Sequence, residues 1–450
     1  MLVMKFGGSS LGSADMMEKA ADIVNNRMYS LPAVVVSAIG KHAPLYDKKV
    51  TDVLEACAIA AYNGKDYREH LDYVVRRHEE MIDELDIKYN PKKEFKQLRS
   101  ALSKGDSNPK RFLDYAMSFG EILSSKIFAA VLNKRDLGAL PIGVAELGFV
   151  TDANFGEAEA LPETYERIRK NLQHMMILPV IPGFVGMTES GEVTTLGRGG
   201  SDYTAAVVGA ALSAEEIDIW TDVPGIMTAD PKIVKDARTL GRISFEEAQE
   251  LAYFGARVIH PKTIEPAMEK SIPVRILNTF KPEYGGTTIV KEEKKIDYEN
   301  PVKAIAHKDD ICVVKLHSTK MLDQAGYLTK VFEVFGNYQK SVDMISTSEV
   351  SVSLTVDNGP GLEAIQAELE KYADVYCSKG KSSINVVGDG IKYTKGIASR
   401  IFSTLAKEDI NIEMISQGAS EISLGLVIDQ AYLEKAVNVL HKEFFPESLK

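Results

Sequence analysis

Charged residues beside glycine-rich turns are where this sequence could do chemistry. Lys5-Phe-Gly-Gly-Ser-Ser10 closes a short apolar run, Leu2-Val-Met4. A little further on, Ser13 opens a helical pattern with apolar Ala14, Met17, Ala20, Ala21 and Val24. Strand, glycine loop and helix start together make an anion site. Glycines let backbone N–H groups approach a phosphate, and the helix N-terminus adds partial positive charge. Lys5, at the C-terminal edge of the strand, reaches the same anion. No lysine follows Gly12, so this is not a Walker A loop. Taken alone, the stretch also reads as an ordinary turn with a surface lysine.

A second such start is Gly197-Arg-Gly-Gly-Ser-Asp202, ahead of a small-residue helix with Ser201 as its expected N-cap. Arg198 could grip a carboxylate or phosphate through two parallel hydrogen bonds. The competing reading is a loop arginine, with Asp202 only offsetting the helix dipole. A second glycine-rich helix start in one α/β half favours function. Gly197-x-Gly199 is not completed as a dinucleotide fingerprint, because Asp202 stands where the third glycine would be. The signatures of protein kinases are missing too. Glu121 lies in a helical pattern flanked by apolar Phe119, Ile122 and Leu123. It is either solvated or partly buried and in need of a cation. His260, before a helix-starting proline, reads as structural. The histidines and the three cysteines (Cys57, Cys312, Cys377) show no metal-ligand spacing.

These residues need a scaffold. At 450 residues, two or three domains are expected. A net charge of −11 argues against a general nucleic-acid or anionic-membrane binder. No apolar run approaches the ~20 residues of a membrane span, and the N-terminus lacks signal-peptide character. A cytoplasmic location is expected. Residues 1–290 alternate short apolar strands with helices, which predicts a mostly parallel sheet covered on both faces, an αβα sandwich. In such sheets ligands bind beyond the carboxyl ends of the strands. Lys5, Ser37, Gly197–Asp202 and Thr221–Asp222 all fall at those junctions. Ile177 to Val185 reads as one strand interrupted by prolines.

A charged stretch at 286–301 reads as a linker. Beyond it lies an internal repeat. Val342-Asp-Met-Ile-Ser346 matches Ile412-Glu-Met-Ile-Ser416, and Gly326 matches Gly396, always at an offset of 70 residues. Each copy reads as βαββαβ, the ferredoxin-like pattern. The copies are either a structural appendage or a doubled small-molecule-binding module.

Lys5-Phe-Gly-Gly-Ser-Ser10, Gly120-Glu121, Thr195-Leu-Gly-Arg-Gly-Gly-Ser-Asp202, Trp220-Thr-Asp-Val-Pro-Gly-Ile226 and Phe254-Gly-Ala-Arg-Val-Ile-His-Pro261 come in the order of the aspartokinase family, which the chain resembles over nearly its whole length. The resemblance implies an amino-acid-kinase domain over 1–292 and ACT domains over 303–380 and 381–450. The strand at 303–314 could be interleaved into the second ACT domain. It implies transfer of the γ-phosphate of ATP to the β-carboxylate of L-aspartate, giving 4-phospho-L-aspartate and ADP, with Mg²⁺. This is the first step toward lysine, threonine and methionine. The chain ends at Lys450, so the type without a homoserine dehydrogenase domain is expected.

The family's roles fall on particular positions. Lys5, Phe6, Gly7 and Gly8 would hold the transferring phosphate. Thr51, Glu121 and Arg198 would hold aspartate, with Glu121 facing its ammonium and Arg198 its carboxylate. Asp202 would orient Lys5. Thr221, Asp222, Met227, Lys232, Arg257 and Val258 would contact the nucleotide, with arginine at 257 where the family usually has lysine. Met321, Gln324, Tyr327, Leu328, Ser341, Val342, Asp343, Ser348 and Glu349 match the lysine-sensing ACT domain, so L-lysine is the implied inhibitor. Asp343 and Glu349 would face its ammonium groups. Gly418 and Ala419 replace the last two of these in the second copy. A homodimer or tetramer through the ACT domains is implied. No protein ligand for a metal is assigned. The open alternatives are a related kinase of another carboxylate or carbamate, and an amino-acid sensor with an inactive kinase domain.

Overall fold

The computed structural model describes all residues except 45, 174, 256–258, 293–299, 319–324, 419 and 447–450. The chain forms two compact units. The first comprises Met1–Ile226, Gly241–Phe245 and Val258–Glu292. The second comprises Met227–Leu240, Glu246–Arg257 and Glu293–Lys450.

The first unit is built on strands β1 (Leu2–Phe6), β2 (Ala33–Val36), β3 (Ala139–Pro141), β4 (Leu178–Pro182), β5 (Val185–Met187), β6 (Val193–Thr195), β7 (Glu216–Thr221), β8 (Arg242–Ser244), β9 (Val274–Asn278) and β10 (Thr287–Val290). Eight of them form one sheet in the order β3-β4-β2-β1-β7-β9-β10-β8, parallel except between β9 and β10. The two central strands β1 and β2 are buried at every position, which is why they read as unbroken apolar runs. The stretch expected as one strand at 177–185 is two. Gly183 and Phe184, the latter with φ 66°, turn the chain between β4 and the β5–β6 hairpin.

The helix Pro109–Asn133 packs beside the sheet. Its start is set by Asn108, whose side chain accepts from the N–H groups of Lys110 and Arg111, with proline in the first turn. It is long and apolar enough to cross a membrane by composition, yet Phe112, Phe119, Leu123, Phe128 and Leu132 belong to the core. Phe128 also meets Phe6, which stacks on Trp220 of β7.

The second unit holds β11 (Ala304–His317), β12 (Met344–Thr347), β13 (Ser351–Asp357), β14 (Asp374–Val387), β15 (Met414–Gln417) and β16 (Ser423–Asp429), in the order β12-β13-β11-β14-β16-β15. The two long strands serve two modules. From Ile311 onward β11 pairs with β13, and its buried Cys312, Val314 and Leu316 pack with the helices Tyr327–Asn337 and Leu362–Leu369. Before the bulge at Lys308, Ala304–Lys308 pairs with Val387–Ser383, and Ile305 joins the core of Ile384, Val386, Ile401, Leu426 and Leu440. The first part of β11 therefore closes the second βαββα copy. Ala229 and Val234 insert into that same core. Their burial is why a segment from the middle of the chain packs with its C-terminal part.

Candidate active site

The site at the carboxyl ends of β1 and β7 begins with the glycine turn. Gly7 N–H donates to the Trp220 carbonyl (3.0 Å), and Ser10 Oγ bonds to the same carbonyl and to Thr279 Oγ1 (3.2 and 2.7 Å). Ser13 caps the following helix, accepting from Met16 N–H. A second turn lies against the first. Gly40 N–H donates to the Gly8 carbonyl at 3.0 Å, and a Cβ on Gly40 would sit 2.4 Å from that carbonyl. Only glycine allows the two backbones this approach.

Lys5 is buried, and its Nζ lies 2.6 Å from Asp202 Oδ1. Asp202 stands in the first turn of the helix Gly200–Leu212. The expected cap Ser201 is inside that helix instead. Gly199, at φ 74°, is the N-cap, and Gly197 is also left-handed at φ 70°. A serine side chain is poorly suited to a left-handed cap, so the turn is built from glycines. Arg198, between them, is exposed and has no ion-pair or hydrogen-bond partner among the described residues.

Glu121 is buried, at 3 % exposure. Its Oε1 accepts from Ala38 N–H (3.0 Å), while Oε2 has no partner among the described residues. Burial pushes its carboxyl up to about 8, opposed by the Ala38 amide and by the nearby Lys5 ammonium. Gly120 makes room for this: a Cβ there would lie 2.8 Å from Ala38 Cβ and 3.7 Å from Val50 Cγ1. Thr51 is half-buried in the first turn of the helix Val50–Tyr62. Thr221 ends β7, with its hydroxyl on the carboxylate of exposed Asp222 (3.1 Å).

Two side chains that sequence reasoning passed over hold this region. Asp114 is buried and accepts from Gly156 N–H, Thr195 N–H and Thr195 Oγ1. Burial still raises its pKa, against those donors. It ties the helix of Glu121 to the strand that leads into Arg198. Its one local signal was its place two turns before Glu121, on the same helix face. Arg77, buried in the helix Arg68–Glu84, is the second. His260 caps a 3-10 turn at Pro261–Ile264 through its carbonyl and is exposed.

Of the other expected nucleotide contacts, Met227 and Lys232 belong to the second unit, where Lys232 is exposed. Arg257 and Val258 lie outside the described residues. So do Met321 and Gln324 of the expected effector set. Tyr327 and Leu328 begin the helix Tyr327–Asn337, and Ser341, Val342 and Asp343 lead into β12. Ser348 and Glu349 are exposed in the turn before β13. Asp343 is already paired: Lys308 Nζ lies 2.7 Å from it and 2.6 Å from Asp357. Tyr253 Oη donates to Asp343 and to the Val342 carbonyl (3.4 and 3.3 Å).

A parallel sheet with a lysine and glycine turns at its carboxyl edge, followed by paired ferredoxin-like modules, defines a small-molecule kinase with ACT domains. Residues 1–278 match the amino acid kinase family and residues 384–444 match an ACT domain. Aspartokinase 1, chloroplastic, of Arabidopsis thaliana is 37% identical, over 98% of this chain and 80% of its own. Lysine-sensitive aspartokinase 3 of Escherichia coli is 33% identical over 99% of each. Among solved structures, aspartate kinase of Clostridium acetobutylicum superimposes with a TM-score of 0.87 at 31% identity, over 99% of this chain and 100% of that one. E. coli aspartokinase III in complex with aspartate and ADP gives 0.79 at 32% identity, over 99% and 100%. The chain belongs to the aspartokinase family, kinases whose acceptor is a carboxyl group.

Proposed function

We propose that the chain transfers the γ-phosphoryl group of ATP to the β-carboxylate of L-aspartate, giving 4-phospho-L-aspartate and ADP. The observation that carries this reading is Glu121: a buried carboxyl group beside Lys5 with one oxygen unpartnered among the described residues. Burial keeps this carboxyl protonated below about pH 8 in the ligand-free protein, and its ionised form is stabilised by a bound ammonium group. The α-ammonium of aspartate supplies it. Arg198, without a partner among the described residues, takes a carboxylate of the substrate, and Thr51 contributes a hydroxyl.

The nucleophile needs no general base. A β-carboxylate has an unperturbed pKa of about 4 and is ionised at neutral pH. The difficulty is electrostatic, because a carboxylate must meet a polyphosphate. Lys5, held by Asp202, and the amides of the glycine turn neutralise the charge that builds on the transferring group. Thr221 and Asp222, at the end of β7, contact the nucleotide. Among the described residues no cluster of three His, Cys, Asp or Glu side chains could hold a metal. In this reading Mg²⁺ is carried on the nucleotide phosphates, where it takes few protein ligands and neutralises phosphate charge.

L-lysine is the inhibitor in this reading, bound at Asp343 and Glu349 with Tyr327, Leu328, Ser341, Val342 and Ser348. E. coli aspartokinase III has been solved with lysine and aspartate, and superimposes with a TM-score of 0.82 at 31% identity over 99% of each chain. The assembly is a homodimer or tetramer formed through the ACT modules. A coupled assay of ADP release tests the activity. Turnover is expected with L-aspartate and not with L-glutamate or carbamate, and no turnover with aspartate rejects the proposal.

A further inference from the structure

Arg77, in the helix Arg68–Glu84, is 3 % exposed, yet no carboxylate lies within ion-pair distance among the described residues. Burying a guanidinium without an anion is costly, so its surroundings have to compensate. Two groups do so. Its Nη2 donates to the Gly12 carbonyl, immediately before the Ser13 cap and after the glycine turn. Its Cζ sits 4.1 Å from the centroid of the Tyr46 ring, a cation–π contact.

Tyr46 belongs to the segment 41–49, which joins the second glycine turn to the helix Val50–Tyr62. Its ring is buried and edge-on to Tyr73 (5.5 Å), and its hydroxyl bonds to Glu80. Tyr73 Oη donates to the Lys48 carbonyl at 3.2 Å. At its start the segment touches the first turn, since a Cβ on Gly12 would lie 2.7 Å from the Lys41 carbonyl. At its end Val50 N–H donates to the Ile39 carbonyl. One guanidinium thus grips the far end of the phosphate-side turn and, through Tyr46, the segment that delivers Thr51.

We propose that Arg77 is a positioning residue for the acceptor substrate. Its guanidinium holds Tyr46 against the turn at Gly12, and so places Thr51 and the start of its helix relative to Lys5. The inference rests on the reading of Thr51 as a contact of aspartate. It also accounts for arginine over lysine. A planar, weakly hydrated cation can stack on a ring and donate to a carbonyl at once, whereas a compact ammonium cannot do both as well.

The test is steady-state kinetics on the full chain. Arg77→Ala is expected to raise KM for aspartate about tenfold while KM for ATP moves less than twofold. Guanidinium ion at millimolar concentration should restore part of the loss, and Arg77→Lys should restore less. A purely structural role would lower thermal stability without this split and without rescue. The inference is overturned if folded Arg77→Ala keeps its aspartate KM within twofold, or if both KM values rise together. Should Arg77→Ala not fold, Tyr46→Leu decides, with the same selective rise expected and an unchanged aspartate KM overturning the proposal. A wild-type chain that does not turn over aspartate removes the activity reading and this inference with it. Normal turnover with an unaffected variant removes the inference alone.

Discussion

At the scale of single residues, the site is a contest between burial and charge. Glu121 has a pKa of about 8 in the fold, against 4.5 for the ordinary side chain. Between those values the folded protein binds a proton that the unfolded chain does not, so stability falls as pH rises through that window. Glu121→Gln removes this dependence. In the ligand-free protein its Tm should exceed that of wild type at pH 8, with the difference vanishing toward pH 4.5. The same variant should raise KM for aspartate by about 10- to 100-fold, the worth of a hydrogen bond to a charged partner. A variant that loses Tm at pH 8 and keeps its KM contradicts both expectations. Glycines or apolar flanks set Lys5, Asp202 and Glu121 apart in the sequence as candidates, while the Lys5–Asp202 pair and the burial of Glu121 came with the fold. Arg77 was not. It sits in Val-Val-Arg-Arg-His-Glu-Glu, where a buried arginine and an exposed one look the same. Asp114 carried only its spacing from Glu121, because its three donors come from residues 156 and 195.

At the scale of elements, the turns decide the geometry. Gly8 and Gly40 come from consecutive strand ends and touch backbone to backbone. Gly40→Ala would place a methyl carbon 2.4 Å from the Gly8 carbonyl, so one turn must move. Overpacking of this kind typically costs about 1–3 kcal/mol. Denaturant unfolding should show that loss, and KM for ATP should rise with it, because the displaced turn is the one beside Lys5. Unchanged ATP affinity would mean that the phosphate is held elsewhere. Capping shows how far local reading reaches. Ser13 caps its helix as its sequence pattern suggests, since a serine in extended backbone needs only the next turn's amide. Ser201 does not, because the chain approaches it through left-handed glycines.

At the scale of the molecule, each unit interleaves parts of the chain that are distant in sequence. The bulged strand β11 divides itself between two modules, and Lys308 at the division bridges Asp343 and Asp357. An effector ammonium arriving at Asp343 therefore meets a carboxylate that already has a cation. Asp343→Ala should weaken inhibition by lysine about 10- to 100-fold, read as the lysine concentration that halves turnover. Lys308 keeps Asp357 in that variant, so the strand is not left with an unpaired charge. Undiminished inhibition would move the effector site away from β12.

The amino-acid sequence alone determined the alternation of strands and helices, the parallel sheet, the repeat at an offset of 70 residues and the glycine-flanked cations. Those features depend on residue type and on neighbours within a few positions, and periodicity reports them directly. Tertiary structure alone decided which charges are buried and what they hold. It brought Glu121 to the Ala38 amide, Arg77 to Gly12 and Tyr46, and Asp114 to Thr195. It also drew residues 227–240 into the C-terminal core, through Ala229 and Val234. Desolvation and pairing across long sequence separations are properties of the packed state, and no local pattern carries them.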